Sequence, residues 1–134
     1  MDVLFTPDQY RSVVQQEITQ TIYTRDDADK LQETAEKSGR NAKVFIKVDT
    51  GLNRVGVRHS EAVEFIEYVD SLSMVDVVGM FSTFQQNPEM DKAMLEKLLA
   101  VDSKLKEKGI NVPIRSMAST DASFHNSDGW LDLV

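Results

Sequence analysis

Short runs of β-branched and aromatic residues alternate along this chain with longer stretches whose apolar positions recur every three to four residues. Ile18-Thr19-Gln20-Thr21-Ile22-Tyr23, Val44-Phe45-Ile46-Lys47-Val48-Asp49, Val75 to Phe84 and Ile114 to Ser119 read as strands, and Val3-Leu4-Phe5 is a shorter apolar run. Between them lie amphipathic helices. The first has Thr6 as N-cap, Pro7 at the first helical position, Gln9 closing a capping box, and Tyr10, Val13 and Val14 facing inward. Thr24 caps the second, which buries Ala28, Leu31 and Ala35 and stops at Gly39. A third begins near Ser60 and buries Ala62, Phe65, Ile66 and Val69. After a loop through Pro88, the longest helix runs from about Asp91 to Lys108 with Met94, Leu98, Val101 and Leu105 inward. Leu131-Asp132-Leu133-Val134 looks like the opening of another strand.

Strands that alternate with helices imply parallel pairing through crossovers. Strand starts about 26 to 39 residues apart suit βαβ units. Two architectures remain open on this pattern: part of a (β/α)8 barrel, which needs about 250 residues when complete, or a five-stranded doubly wound sheet.

Composition narrows the partners. The 134 residues are 41% hydrophobic and 28% charged, ordinary for one soluble domain. A net charge of −7 argues against nucleic acid, which selects clustered lysine and arginine. No apolar run approaches a membrane span and no signal-peptide pattern opens the chain, so the expected location is the cytoplasm. Without cysteine there is no disulfide and no thiolate chemistry.

The chemistry concentrates at one strand end. Period-2 alternation puts Val44, Ile46 and Val48 on one face and Phe45, Lys47 and Asp49 on the other. Burying charge without partners costs several kcal/mol. A strand carrying Lys47 and Asp49 therefore calls for polar company, as at the mouth of an α/β barrel. His59 and His125 lie far apart with no metal-ligand spacing around either, so no metal site is expected; His59 reads as solvated before a helix and His125 as part of a polar loop.

Three segments, in order, carry a family resemblance. Lys47-Val48-Asp49-Thr50-Gly51-Leu52-Asn53-Arg54-Val55-Gly56 resembles the K-x-D-T-G-M-x-R-x-G motif of the alanine racemase family, the fold-type III pyridoxal-phosphate enzymes. Gly79-Met80-Phe81-Ser82-Thr83-Phe84 resembles its G-[IL]-[YF]-T-H-F strand. Ala118-Ser119-Thr120-Asp121-Ala122 and Leu131-Asp132-Leu133-Val134 resemble its A-N-S-A-A segment and the residues before its V-R-x-G turn.

The resemblance implies an α/β fold, a partial TIM (β/α)8 barrel. Residues 1–134 would form the middle of the N-terminal barrel domain that binds pyridoxal 5'-phosphate. The implied parent activity is interconversion of L- and D-amino acids. The family's Schiff-base lysine falls before residue 1, its pyridine-contacting arginine just after Val134 and its tyrosine in a C-terminal β domain. No catalytic residue is therefore expected within this stretch, which alone should be silent. A small amino-acid substrate and homo-oligomeric assembly are the expected partners, the latter because an open barrel leaves strand edges exposed.

By the same resemblance, Arg54 approaches the phenolic oxygen of the cofactor ring, where a permanent cation with two parallel donors holds an anion; the plainer alternative is a surface ion pair. Lys47 matches a lysine that some members carbamylate to brace this arginine, and the alternative is an unmodified lysine paired with Asp49. Its motif position excludes Lys47 as the Schiff-base lysine. Thr83 stands where the family usually has histidine against the ring, and it offers a hydroxyl instead. Ser119 replaces a common asparagine, and Thr120 keeps the hydroxyl that helps bind phosphate. Two other readings of such a barrel are a pyridoxal-phosphate binder without turnover, whose members generally lack D-T-G-x-x-R, and a D-threonine aldolase or D-serine dehydratase-like lyase, which shares D-x-G-x-x-R.

Overall fold

The computed structural model describes residues 4–117 and 119–133. Val3, Ala118 and Val134 of the segments above lie outside the described residues. Helix α1 (Pro7–Gln15) leads to strand β1 (Gln20–Ile22), helix α2 (Arg25–Ser38) and strand β2 (Ala42–Asp49). The two-residue strand β3 (Val57–Arg58), helix α3 (Ala62–Asp70), strand β4 (Val75–Phe81) and helix α4 (Pro88–Glu107) follow. Strand β5 (Ile114–Ser116), helix α5 (Thr120–His125) and a 3-10 turn (Ser127–Gly129) complete the order.

Every pairing is parallel. The sheet runs β1-β2-β4-β5, and β3 pairs with β2 off this path. Each long crossover thus advances the sheet by one strand in the same direction. A doubly wound sheet reverses direction at a switch point; none occurs among the described residues, and the order is that of a barrel wall. Ser116 bridges in parallel to Leu133, which carries the wall one step further.

The core lies between the sheet and its helices. Val44, Ile46 and Val48 are buried beside Leu31, Ala35, Ile66, Val69, Leu98 and Leu105. Helix boundaries follow local chemistry. Thr6 and Gln9 close the capping box of α1, and Thr24 caps α2 by accepting from the Asp27 amide. Gly39 ends α2 at φ +67°, in the left-handed region. Helix α4 starts at Pro88, earlier than its apolar periodicity indicates, because Asn87 caps it and Pro88 takes the first position. Strands β1, β4 and β5 are shorter than predicted. Ser119, predicted as a strand end, is instead the N-cap of helix α5, which also takes in His125 of the expected polar loop.

Register matters for the site. Between β2 and β4 the pairs Ala42↔Val75 and Val44↔Val77 give way to Phe45↔Gly79, Ile46↔Met80 and Lys47↔Phe81. Val78 is the extra residue of this bulge, so side-chain parity along β4 flips there. Val77 and Met80 therefore both pack with the core, whereas Phe81 joins Phe45 and Lys47 on the opposite face of the sheet. The Phe45 and Phe81 rings meet edge to face at 6.2 Å. No helix among the described residues is long and apolar enough to cross a membrane.

Candidate functional site at the C-terminal edge of the sheet

All strands being parallel, their C-terminal ends share one edge. Lys47 and Asp49 at the end of β2, Thr83 just past β4, and Ser119 and Thr120 beyond β5 are delivered there by three successive strands.

Lys47 is the most constrained of them, with only 6% of its surface exposed. Its Nζ donates to Thr83 Oγ1 at 2.7 Å and lies 4.3 Å from the centre of the Phe81 ring. The predicted alternative, an ion pair with Asp49, does not form; Lys47 leans across to β4 instead. Burial pushes its ammonium pKa down to about 8, the nearby Arg54 charge adds to that, and Asp49 opposes it. At pH 7 roughly a tenth of this amine is then uncharged, far more than for an ordinary surface lysine.

Asp49 instead shapes the loop. Its Oδ1 accepts from the backbone amides of Gly51 at 2.9 Å and Asn53 at 3.1 Å. This turn explains why Asp, Gly and Asn occur here: Gly51 has φ +147° and Asn53 φ +54°. Thr50 is fully buried, its hydroxyl 2.7 Å from Ser82 Oγ, which ties the ends of β2 and β4 together. At Gly56, φ +129°, an added Cβ would sit 2.8 Å from the Asp49 amide nitrogen and 3.0 Å from the Lys47 carbonyl. The loop thus folds directly back over the strand end it leaves before pairing as β3.

Arg54 rides on this loop with its residue surface exposed, near enough to depress the Lys47 charge. On the far side, the Ser119 hydroxyl accepts weakly from the Ala122 amide at 3.4 Å and keeps its own O–H as a donor. Thr120 is exposed in the first turn of α5. His125 is exposed and pairs with Asp121 at 3.3 Å; His59 is half-buried, its amide donating to the Asp49 carbonyl. Two contributors escaped the sequence reading: the Ser82 hydroxyl and the α4 residue Lys97, whose Nζ reaches the Thr50 carbonyl at 3.1 Å. An i, i+3, i+4 pattern identifies the helix but not a lysine that bends toward the neighbouring loop.

A portion of a parallel (β/α) barrel, with a buried lysine and an exposed arginine at the C-terminal edge of its strands, defines the class: an α/β-barrel protein whose polar groups gather at the end where such barrels carry their sites. Residues 1–134 match the family model "Alanine racemase, N-terminal domain", and the chain belongs to that family. It is 37% identical over 135 residues to an alanine racemase of Desulfovibrio desulfuricans, covering 97% of this chain and 36% of that protein. An alanine racemase of Methanococcus maripaludis is 30% identical over 134 residues, again covering 36% of the relative. The chain thus spans little more than a third of these relatives. The solved alanine racemase of Clostridium difficile 630 in complex with cycloserine superposes with a TM-score of 0.92 at 26% identity, over 98% of this chain and 38% of that one. The alanine racemase of Bacillus anthracis with bound L-Ala-P shares the fold, with a TM-score of 0.79 at 18% identity, over 93% of this chain and 34% of that one.

Proposed function

We propose that this chain is the cofactor-lining part of the barrel of a pyridoxal-phosphate-dependent amino-acid racemase. The observation that carries the reading is that Lys47 at the end of β2 and Arg54 on the loop that follows lie close enough for their charges to interact at the C-terminal edge of the sheet, the loop being tied to Asp49 through the Gly51 and Asn53 amides.

The donor set fits the cofactor. Arg54 would meet the phenolic oxygen, because a guanidinium stays charged at any working pH and stabilises that oxygen as an anion. Thr120, with the Ser119 O–H beside it, would donate its hydroxyl to the phosphate. Thr83 would turn its hydroxyl toward the ring region while its oxygen accepts from Lys47. When bound, pyridoxal phosphate supplies an electron sink for charge developing at the amino acid's α-carbon. The residues of this chain hold and orient; they do not carry the exchanged proton.

Carbamylation of Lys47 would proceed through the neutral fraction of its amine, which burial and the nearby Arg54 charge enlarge. Addition of carbon dioxide to Nζ with loss of one proton would convert the group to an anion and give Arg54 a charge partner. Amino-acid-like ligands named for the solved relatives, cycloserine and L-Ala-P, support a small amino acid as substrate.

The test uses 4'-deoxypyridoxine 5'-phosphate, which keeps the ring oxygen and the phosphate but has no aldehyde to condense with surface lysines. Saturable binding weakened at least tenfold, about 1.4 kcal/mol, by Arg54→Ala is expected. Equal affinity in the wild type and this variant overturns the assignment.

A further inference from the structure

We infer that Lys97, on α4, is a positioning residue for the loop that presents Arg54: its ammonium holds the Thr50 carbonyl where the chain turns away from β2. The loop from Thr50 to Gly56 has no strand partner until Val57, and three of its residues, Gly51, Asn53 and Gly56, have positive φ. A segment with so many unusual backbone angles keeps one conformation only when its surroundings over-determine it. Asp49 supplies one tether, through the amides of Gly51 and Asn53. Within the loop the Asn53 side-chain amide donates to the Gly51 carbonyl at 3.0 Å, and Lys97 supplies a tether from the helix layer.

The packing around that contact is close. A Cβ added at Gly51 would lie 3.4 Å from Met94 Cγ and 3.9 Å from Lys97 Nζ, so α4 rests directly on this peptide. With the Thr50 hydroxyl already 2.7 Å from Ser82, side chain and carbonyl of the same buried residue are both held. Lys97 is half-buried, and its recorded hydrogen bond goes to this carbonyl, whereas Lys106 and Lys108 on the same helix and its C-cap reach carboxylates. An ammonium aimed at a main-chain carbonyl in a loop fixes geometry more than it neutralises charge. Because Arg54 is exposed, the course of the loop backbone is what decides where its guanidinium stands.

The link from Lys97 to ligand affinity rests on the pyridoxal-phosphate reading; its link to loop order does not. The experiment is residue-resolved amide hydrogen exchange on the full chain, in the wild type, Lys97→Met and Lys97→Arg, followed by titration with 4'-deoxypyridoxine 5'-phosphate. Lys97→Met is expected to speed exchange several-fold at Gly51 and Asn53 while Val44 and Ile46 stay protected. Lys97→Arg should restore the slow rates, and affinity should fall several-fold only in Lys97→Met. Unchanged exchange at Gly51 and Asn53, or a uniform rise that includes Val44 and Ile46, overturns the proposal. Should Lys97→Met be unstable, Lys97→Leu gives the same comparison. If Arg54→Ala leaves affinity untouched, the ligand reading fails, and the exchange rates alone decide the role of Lys97.

Discussion

Lys47 at the end of β2 and Thr83 just beyond β4 are joined by a 2.7 Å hydrogen bond from ammonium to hydroxyl, across the edge where the sheet opens. This contact takes the place of an ion pair. It leaves Lys47 with a neutral acceptor and the Phe81 ring for company, and it explains how a buried amine is tolerated at all.

The first consequence concerns pH. The folded-state pKa of Lys47, about 8, lies below that of an unfolded lysine, about 10.4. Between these values the unfolded chain binds more protons, so stability rises with pH across that window. Below the folded value the cost of the buried charge is fully present, about 3 kcal/mol. Lys47→Met should therefore be more stable than the wild type at pH 7, by an amount that shrinks toward pH 10. Guanidinium unfolding at both pH values measures it, and a gap that does not narrow contradicts the assignment.

Thr83→Val removes the acceptor and leaves the ammonium buried without one. A loss of about 1–3 kcal/mol at pH 7 is expected, and a smaller loss near pH 10, where Lys47 is neutral. In the Lys47→Met background the same substitution should be nearly silent. A double-mutant cycle by denaturant unfolding reads this coupling; additive effects would show that the two side chains act separately.

Two glycines with positive φ should respond very differently to alanine. At Gly39 nothing lies within 4 Å of the added Cβ, so Gly39→Ala should cost only the backbone term, about 1 kcal/mol. At Gly56 the Cβ meets main-chain atoms of Lys47, Val48 and Asp49 that cannot yield. Gly56→Ala should cost about 3 kcal/mol or more and disorder the Arg54 loop. Thermal unfolding separates the two, and equal shifts would contradict the described course of this loop.

The strand edge at β1 and the exposed Phe124 and Trp130, which follow β5 in the chain, bear on assembly. Sedimentation of the 134-residue chain should show association that grows with concentration. A monodisperse monomer at high concentration contradicts it.

Much of this was legible in the sequence because local chemistry and periodicity agreed. Thr6, Pro7, Gln9, Thr24 and Gly39 mark helix ends whose satisfaction is local, and the alternation in β2 separates Val44 and Ile46 from Phe45 and Lys47 as observed. What was hidden depended on pairing between distant segments. The Val78 bulge is set by how β4 lies against β2, so it decides that Phe81 rather than Met80 accompanies Lys47, and no period within β4 reveals it. Helix α5 is six residues long, too short for a periodic signal, and its cap Ser119 read equally well as a strand end. The choice of Thr83 over Asp49 as the partner of Lys47 likewise follows from strand adjacency.

If Lys47, Arg54, Thr83 and Thr120 border one ligand site at the strand ends, backbone amide chemical-shift mapping during titration with 4'-deoxypyridoxine 5'-phosphate will show it. The largest changes are expected at Gly51 to Val55, Thr83 and Thr120, saturating together with one dissociation constant. Changes confined to the helix surface around Lys30 and Lys37, or none at millimolar ligand, would contradict it.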